Sequence, residues 1–124
     1  AMLSAAKGGI TATNPSQWAS FTRDIDAANN STVVLVMDKT PSAFSSAAET
    51  NYFRAILSKY VEQGKKVFVI SCGSTSYWTS TKDGVRYINL PDLWKADGTV
   101  NPNYKMLRFR VKDGAVTYEA VHIK

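Results

Sequence analysis

Three features of the chain have the residue types from which chemistry could be built. The first is Asp38, which follows the apolar run Val33-Val34-Leu35-Val36-Met37. A carboxylate leaving a strand could act as a nucleophile or metal ligand, or simply be a solvated loop acid. The aspartyl phosphotransferase pattern wants a second acid two residues on, and Thr40 stands there. The second is the lone cysteine, Cys72, at the end of Val67-Phe68-Val69-Ile70. A thiolate is reactive where positive charge lowers its pKa, whereas a buried or half-buried thiol is inert. The spacing of cysteine, five residues, then arginine puts Trp78 where a phosphatase needs its guanidinium. The third is Gly73-Ser74-Thr75-Ser76, whose backbone N–H groups could face an anion. It lacks the spacing and lysine of a phosphate-binding loop and reads as a turn.

The remaining chemical groups are sparse. His122 is the single histidine, and Asp92, Asp97 and Asp113 are too scattered for a calcium loop. One cysteine and one histidine exclude a disulfide framework and any multi-cysteine or histidine-rich metal centre. Trp78, Tyr77, Trp94 and Tyr104 fall in or beside loops, where rings stack on sugars or partners or pack at the core's edge.

Those residues must be held by a scaffold, and its elements are legible. Asn14-Pro15-Ser16-Gln17 starts a helix, with Asn14 as cap, Pro15 at the first position and Gln17 reaching back. Trp18, Phe21 and Ile25 give it one buried face, and it ends at Asn29-Asn30. Residues 3–13 read as an extended, glycine-punctuated lead-in. Ser46-Ala47-Ala48-Glu49 is a capping box, followed by the stripe Phe53, Ile56, Leu57, Tyr60 and Val61, with Gly64 as terminator.

Strands 33–37 and 67–70 flank this second helix and are apolar on both parities, the pattern of inner parallel strands. A right-handed crossover joins them. Residues 71–83 read as a polar loop and Val85 to Leu90 as a third strand. A long loop, 91–103, precedes two alternating strands, Met106 to Val111 and Ala115 to Ile123, turned at Asp113-Gly114. The expectation is an α/β fold: a mixed sheet of about five strands, with a parallel strand-helix-strand crossover, a C-terminal antiparallel hairpin and two main helices on one face. Because the central strands are apolar on both parities, something must cover the second face. Loops 71–83 and 91–103, a neighbouring domain and self-association are the candidates.

At 124 residues, 44% hydrophobic and 20% charged, the chain is one folded domain. The opening Ala1-Met2 reads as an expression scar on a domain taken from a larger multidomain protein. No signal peptide is evident, and the longest apolar run is five residues against the roughly 20 that span a bilayer. The net charge of +5 is scattered, and Arg108, Arg110 and Lys112 alternate with Leu107, Phe109 and Val111 as a solvated strand face does. No nucleic-acid partner is therefore expected.

In order, the chain carries Gln17-Trp18, the strand running into Lys39-Thr40-Pro41, Ser71-Cys72-Gly73-Ser74-Thr75-Ser76-Tyr77, Gly84-Val85-Arg86-Tyr87-Ile88, and the hairpin through Asp113-Gly114. This order of segments resembles the C-terminal half of a calcineurin-like metallophosphoesterase. The likeness spans about residues 8–123. It implies that the family's metal-binding histidines fall on Lys39, Gly73 and Thr75, and that the half of the family fold with the remaining ligands is missing. A lysine repels a cation and glycine offers no donor, so the resemblance implies a scaffold without its chemistry, no cofactor and no two-metal hydrolysis. Such degenerate modules resemble pieces of secreted or surface proteins of Gram-positive bacteria.

The expected role is a non-catalytic structural or interaction domain meeting neighbouring domains or a second copy. Its contact surface would comprise Lys39, Gly73, Thr75, Tyr77, Trp78 and Trp94. The alternatives are a glycan or cell-wall polymer binder using Trp78, Trp94 and Tyr104, and a hydrolase using Asp38 or Cys72.

Overall fold

The computed structural model describes residues 2–27, 32–74, 77–91, 97–102, 105–112 and 115–122. In chain order the elements are β1 (Met2–Leu3), α1 (Ile10–Thr13), α2 (Gln17–Ala27), β2 (Thr32–Met37), a 3₁₀ turn (Pro41–Ala43) and α3 (Ala47–Glu62). Then come β3 (Lys66–Ser74), β4 (Trp78–Lys82), β5 (Val85–Pro91), β6 (Lys105–Lys112) and β7 (Ala115–His122). Strands β1 to β5 form one mixed sheet in the order β1-β2-β3-β5-β4, parallel except for the β4–β5 pair. Strands β6 and β7 form a separate antiparallel hairpin. No described helix is long and apolar enough to cross a membrane.

Helix α3 follows its sequence signals closely. Ser46 accepts a hydrogen bond from the Glu49 N–H at 3.3 Å, half of the expected capping box. The Glu49 carboxylate does not reciprocate; it accepts from the Thr11 N–H at 2.9 Å and so ties α1 to α3. At the other end Gly64 takes a φ of 89°, which an L side chain resists. This lets the Gly64 and Lys65 N–H groups bond the Val61 and Tyr60 carbonyls, the reciprocal pair that closes a helix on a left-handed residue. At the start of α2, Asn14 accepts from the Ser16 N–H and hydroxyl at 3.1 and 2.7 Å. The described part of α2 stops at Ala27, so the expected end at Asn29-Asn30 lies outside the described residues.

The two main helices share one face of the sheet. Phe21 and Ile25 of α2 and Phe53, Leu57 and Tyr60 of α3 pack in one cluster with Val33, Leu35, Val67, Val69 and Tyr87. Each large side chain so enclosed contributes about 1.5–3 kcal/mol. Side chains alternate along a strand, so Val34, Val36, Phe68, Ile70 and Ile88, aligned by the parallel register, occupy the opposite face.

Three local expectations need correction. The lead-in 3–13 is not simply extended: Leu3 belongs to β1 and residues 10–13 make one helical turn. That turn rests on side-chain bonds, with Lys7 N–H donating to Thr13 Oγ1 at 3.0 Å and Thr13 Oγ1 to the Gly9 carbonyl at 2.8 Å. Periodicity cannot signal a helix of this kind. Segment 71–83 is not a loop either, because it holds the end of β3 and all of β4. Asp83 and Gly84 have φ of 52° and 79°, the left-handed pair of a two-residue hairpin turn, with Lys82 opposite Val85. Strand β4 lies at the sheet edge with four of its five residues exposed, so no apolar alternation marks it.

The C-terminal hairpin, third, does not extend the sheet. It supplies a cover for the second face that the candidates above did not include. Phe68 lies 5.5 Å from Phe109 and 6.1 Å from Tyr118, ring centroid to centroid, and Phe109 lies 5.9 Å from Tyr118. Leu107 and Phe109 are half-buried while Arg108 and Arg110 are exposed, as the alternation predicts. The turn at Asp113-Gly114 lies outside the described residues.

Candidate functional site

Parallel strands converge their C-terminal ends on one rim, where open α/β sheets bind ligands. Here that rim holds Asp38 after β2 and a bulge in β3. Between the pairs Ser71–Asn89 and Ser74–Pro91, β3 carries Cys72 and Gly73 against the single Leu90 of β5. Bulges of this kind re-aim side chains at the edges of sites. Beneath it, Ser71 donates its hydroxyl to Asn89 Oδ1 at 3.1 Å, and both residues are buried.

Asp38 is occupied with structure. Ser4 donates its hydroxyl to Oδ2 at 2.6 Å, and the Ala5 N–H donates to Oδ1 at 2.7 Å. Burial alone would raise its pKa, but these two bonds, aided by its own N–H and the Lys39 charge, outweigh that. The carboxyl sits below its usual range. Gln17 completes the clamp from α2. Its Oε1 accepts from the Ser4 N–H at 2.7 Å, and its Nε2 donates to the Ser4 carbonyl at 3.0 Å. A primary amide thus pairs with the edge of the chain just past β1 as a neighbouring strand would, blocking further pairing there. The Gln17 amide also reaches back, but by donating to the Asn14 carbonyl at 3.1 Å; the Asn14 N–H, which a capping box would engage, donates to the Ile10 carbonyl instead.

These groups border a cleft of about 370 Å³ lined by Met2, Ser4, Gln17, Val36, Asp38 and Cys72, among others. Met2 is 84% exposed and Val36 38%, so the apolar side of the cleft is open. Cys72, within the bulge, is exposed, against the expectation of a buried or half-buried thiol. Its thiol faces the Met37 carbonyl at 3.8 Å.

The other predicted site residues disperse. Lys39 is half-buried in the loop entering the Pro41 turn, which Thr50 holds by donating to the Pro41 carbonyl at 2.8 Å. Gly73 is in the bulge. Tyr77 lies on the hairpin side, with Lys105 Nζ 5.0 Å from its ring centre. Burial, then the neighbouring Tyr118, raise the Tyr77 phenol's pKa, and the Arg86 charge offsets part of this. Trp78, one residue on, packs against the core on the helix side. Thr75, Trp94 and Tyr104 lie outside the described residues, as does the His122 side chain. Asp97 accepts from the N–H and hydroxyl of Thr99 at 3.0 and 2.6 Å, a local turn that lowers its pKa.

Sequence reasoning missed Ser4, Gln17 as a clamp, and the Ser71–Asn89 pair. A signal for Asn89 exists: it is the polar residue on the otherwise apolar parity of Val85, Tyr87 and Asn89. Among the described residues no three His, Cys, Asp or Glu side chains are grouped to hold a metal ion. The donors at the rim do not fit a dinuclear centre: Lys39 brings an ammonium, Gly73 brings no side chain, and both Asp38 oxygens already accept hydrogen bonds. Compared with family models, curated proteins and solved structures, the chain matches none.

Proposed function

We propose that this chain is a non-catalytic α/β module, a degenerate counterpart of the C-terminal half of a calcineurin-like metallophosphoesterase. It serves as a structural or interaction domain of a larger secreted or surface protein. The observation that carries this reading is the bonding of Asp38. The acid best placed for chemistry spends both oxygens on Ser4 and Ala5, fastening the edge strand instead of facing a substrate. The contact surface is the cleft beside it, where Val36 and Cys72 are exposed at the sheet edge. An apolar segment of a neighbouring domain fits that chemistry.

Two measurements test the proposal. In the parent protein, a short thiol-directed crosslinker on Cys72 should capture a flanking domain, and Val36→Asp should abolish capture. A Cys72 that remains uncaptured there overturns the reading. A turnover screen on phosphoesters and carboxylic esters should show no activity sensitive to Asp38→Asn or Cys72→Ser; activity lost in either variant makes the chain a hydrolase. The glycan alternative gains no support from Trp78, whose ring packs against the core.

A further inference from the structure

At the opposite end of the sheet, where β3 begins, a wider cleft of about 430 Å³ opens between the sheet and the hairpin. Three cationic residues line it from different elements: Lys65 and Lys66 follow the turn that closes α3, and Arg86 stands on β5. None of its described lining residues is a carboxylate. Phe68, 9% exposed, forms its floor. Tyr118 of β7 forms a wall, its ring nearly perpendicular to Phe68 at 79° and 6.0 Å from the guanidinium carbon of Arg86. Thr81 of β4 adds a hydroxyl at the margin.

Like charges gathered in a cleft with low-dielectric walls focus a positive field into it. Tyr118 is half-buried, so part of the aromatic surface beside them is open. A cleft of this volume suits a small molecule. We infer that it binds a small organic anion: a flat apolar body lies along Phe68 and Tyr118, and a carboxylate, sulfonate or phosphate head sits among Lys65, Lys66 and Arg86. A molecule so placed touches both sheets and ties the hairpin down. The inference is independent of the proposed function, since it uses neither Asp38 nor the first cleft.

The test titrates the whole chain with naphthalene-2-carboxylate while following backbone amide resonances. Saturable shifts are expected at Lys66, Phe68, Thr81, Arg86 and Tyr118, with affinity falling as salt rises. The double variant Lys65→Gln/Lys66→Gln should bind about tenfold more weakly. Naphthalene-2-methanol, the neutral counterpart, and inorganic phosphate, a head without a body, should both bind more weakly than the carboxylate. The inference is overturned by unsaturable shifts up to about 10 mM, by equal binding of the neutral compound, or by shifts centred elsewhere. Tetraglutamate binding as tightly as the naphthoate would also overturn it, since charge alone would then account for recognition. Should the double variant fold poorly, the salt dependence and the neutral compound decide the matter on the unaltered chain.

Discussion

The two faces of the central sheet are covered by different means. On one, two helices press Phe21, Phe53 and Leu57 onto Leu35 and Val69, all essentially solvent-free. On the other, a hairpin that forms its own two-stranded sheet meets the central sheet through Phe68, Phe109 and Tyr118, leaving Val36 open towards the edge. A long helix supplies its own backbone hydrogen bonds and can spend a whole stripe on packing. A two-stranded hairpin is marginal by itself and needs those aromatic contacts to stay ordered. Both clefts border the less completely covered face, with Met2, Val36 and Cys72 at one end and Phe68 and Arg86 at the other.

Four experiments probe this asymmetry, beginning with the largest effect. Phe53→Ala should cost about 3–5 kcal/mol in urea unfolding, because it opens a cavity in the closed face. A loss below about 1 kcal/mol would mean that this face is not the denser one. Phe109→Ala should cost only about 1–2 kcal/mol. Hydrogen exchange should then quicken in β6 and β7 while β2 and β3 stay protected, and uniform quickening would make the two faces one cooperative unit.

The third concerns Tyr60, which joins the helices by donating to Asp26 Oδ1 at 3.0 Å. Burial first, then the hydrogen bond to Asp26 and its charge, push this phenol up to about 12. A raised folded-state pKa means that its contribution to stability is whole below about pH 10 and is lost as pH climbs towards 12. Tyr60→Phe should cost about 1 kcal/mol at neutral pH and flatten that alkaline decline. A decline unchanged in the variant would assign it to other groups. The smallest effect belongs to Asp38, at the rim. Its lowered pKa makes its contribution whole above about pH 4 and lost as acid carries pH through the folded-state value. Asp38→Asn should remove that part of the acid slope, read by fluorescence during acid unfolding.

The closed face was legible in the sequence. The stripe from Phe53 to Val61, the Ser46 cap, the Gly64 stop and the two flanking apolar strands are patterns a few residues apart, and each appears where it was expected. The strand β4 was not legible, although Asp83-Gly84 is the same dipeptide that marked the C-terminal hairpin. Its exposed residues gave no apolar alternation to set beside the turn. The candidate site was legible only in part. Asp38 and Cys72 line one cleft and Gly73 shares the bulge with Cys72, while Tyr77 and Trp78 fall on opposite sides of the sheet.

Local order therefore belongs to the chain's own pattern: which segments coil, which extend, and which side of each is greasy. Three outcomes needed the assembled molecule. They are the bonding of Asp38 to residues 33 and 34 positions away, the Gln17 amide capping Ser4, and the hairpin lying across the sheet. Each depends on contacts between residues distant along the chain, whose partners become neighbours only after the backbone has folded. Periodicity reports how a segment divides oil from water, and carries nothing about which distant group will arrive to meet it.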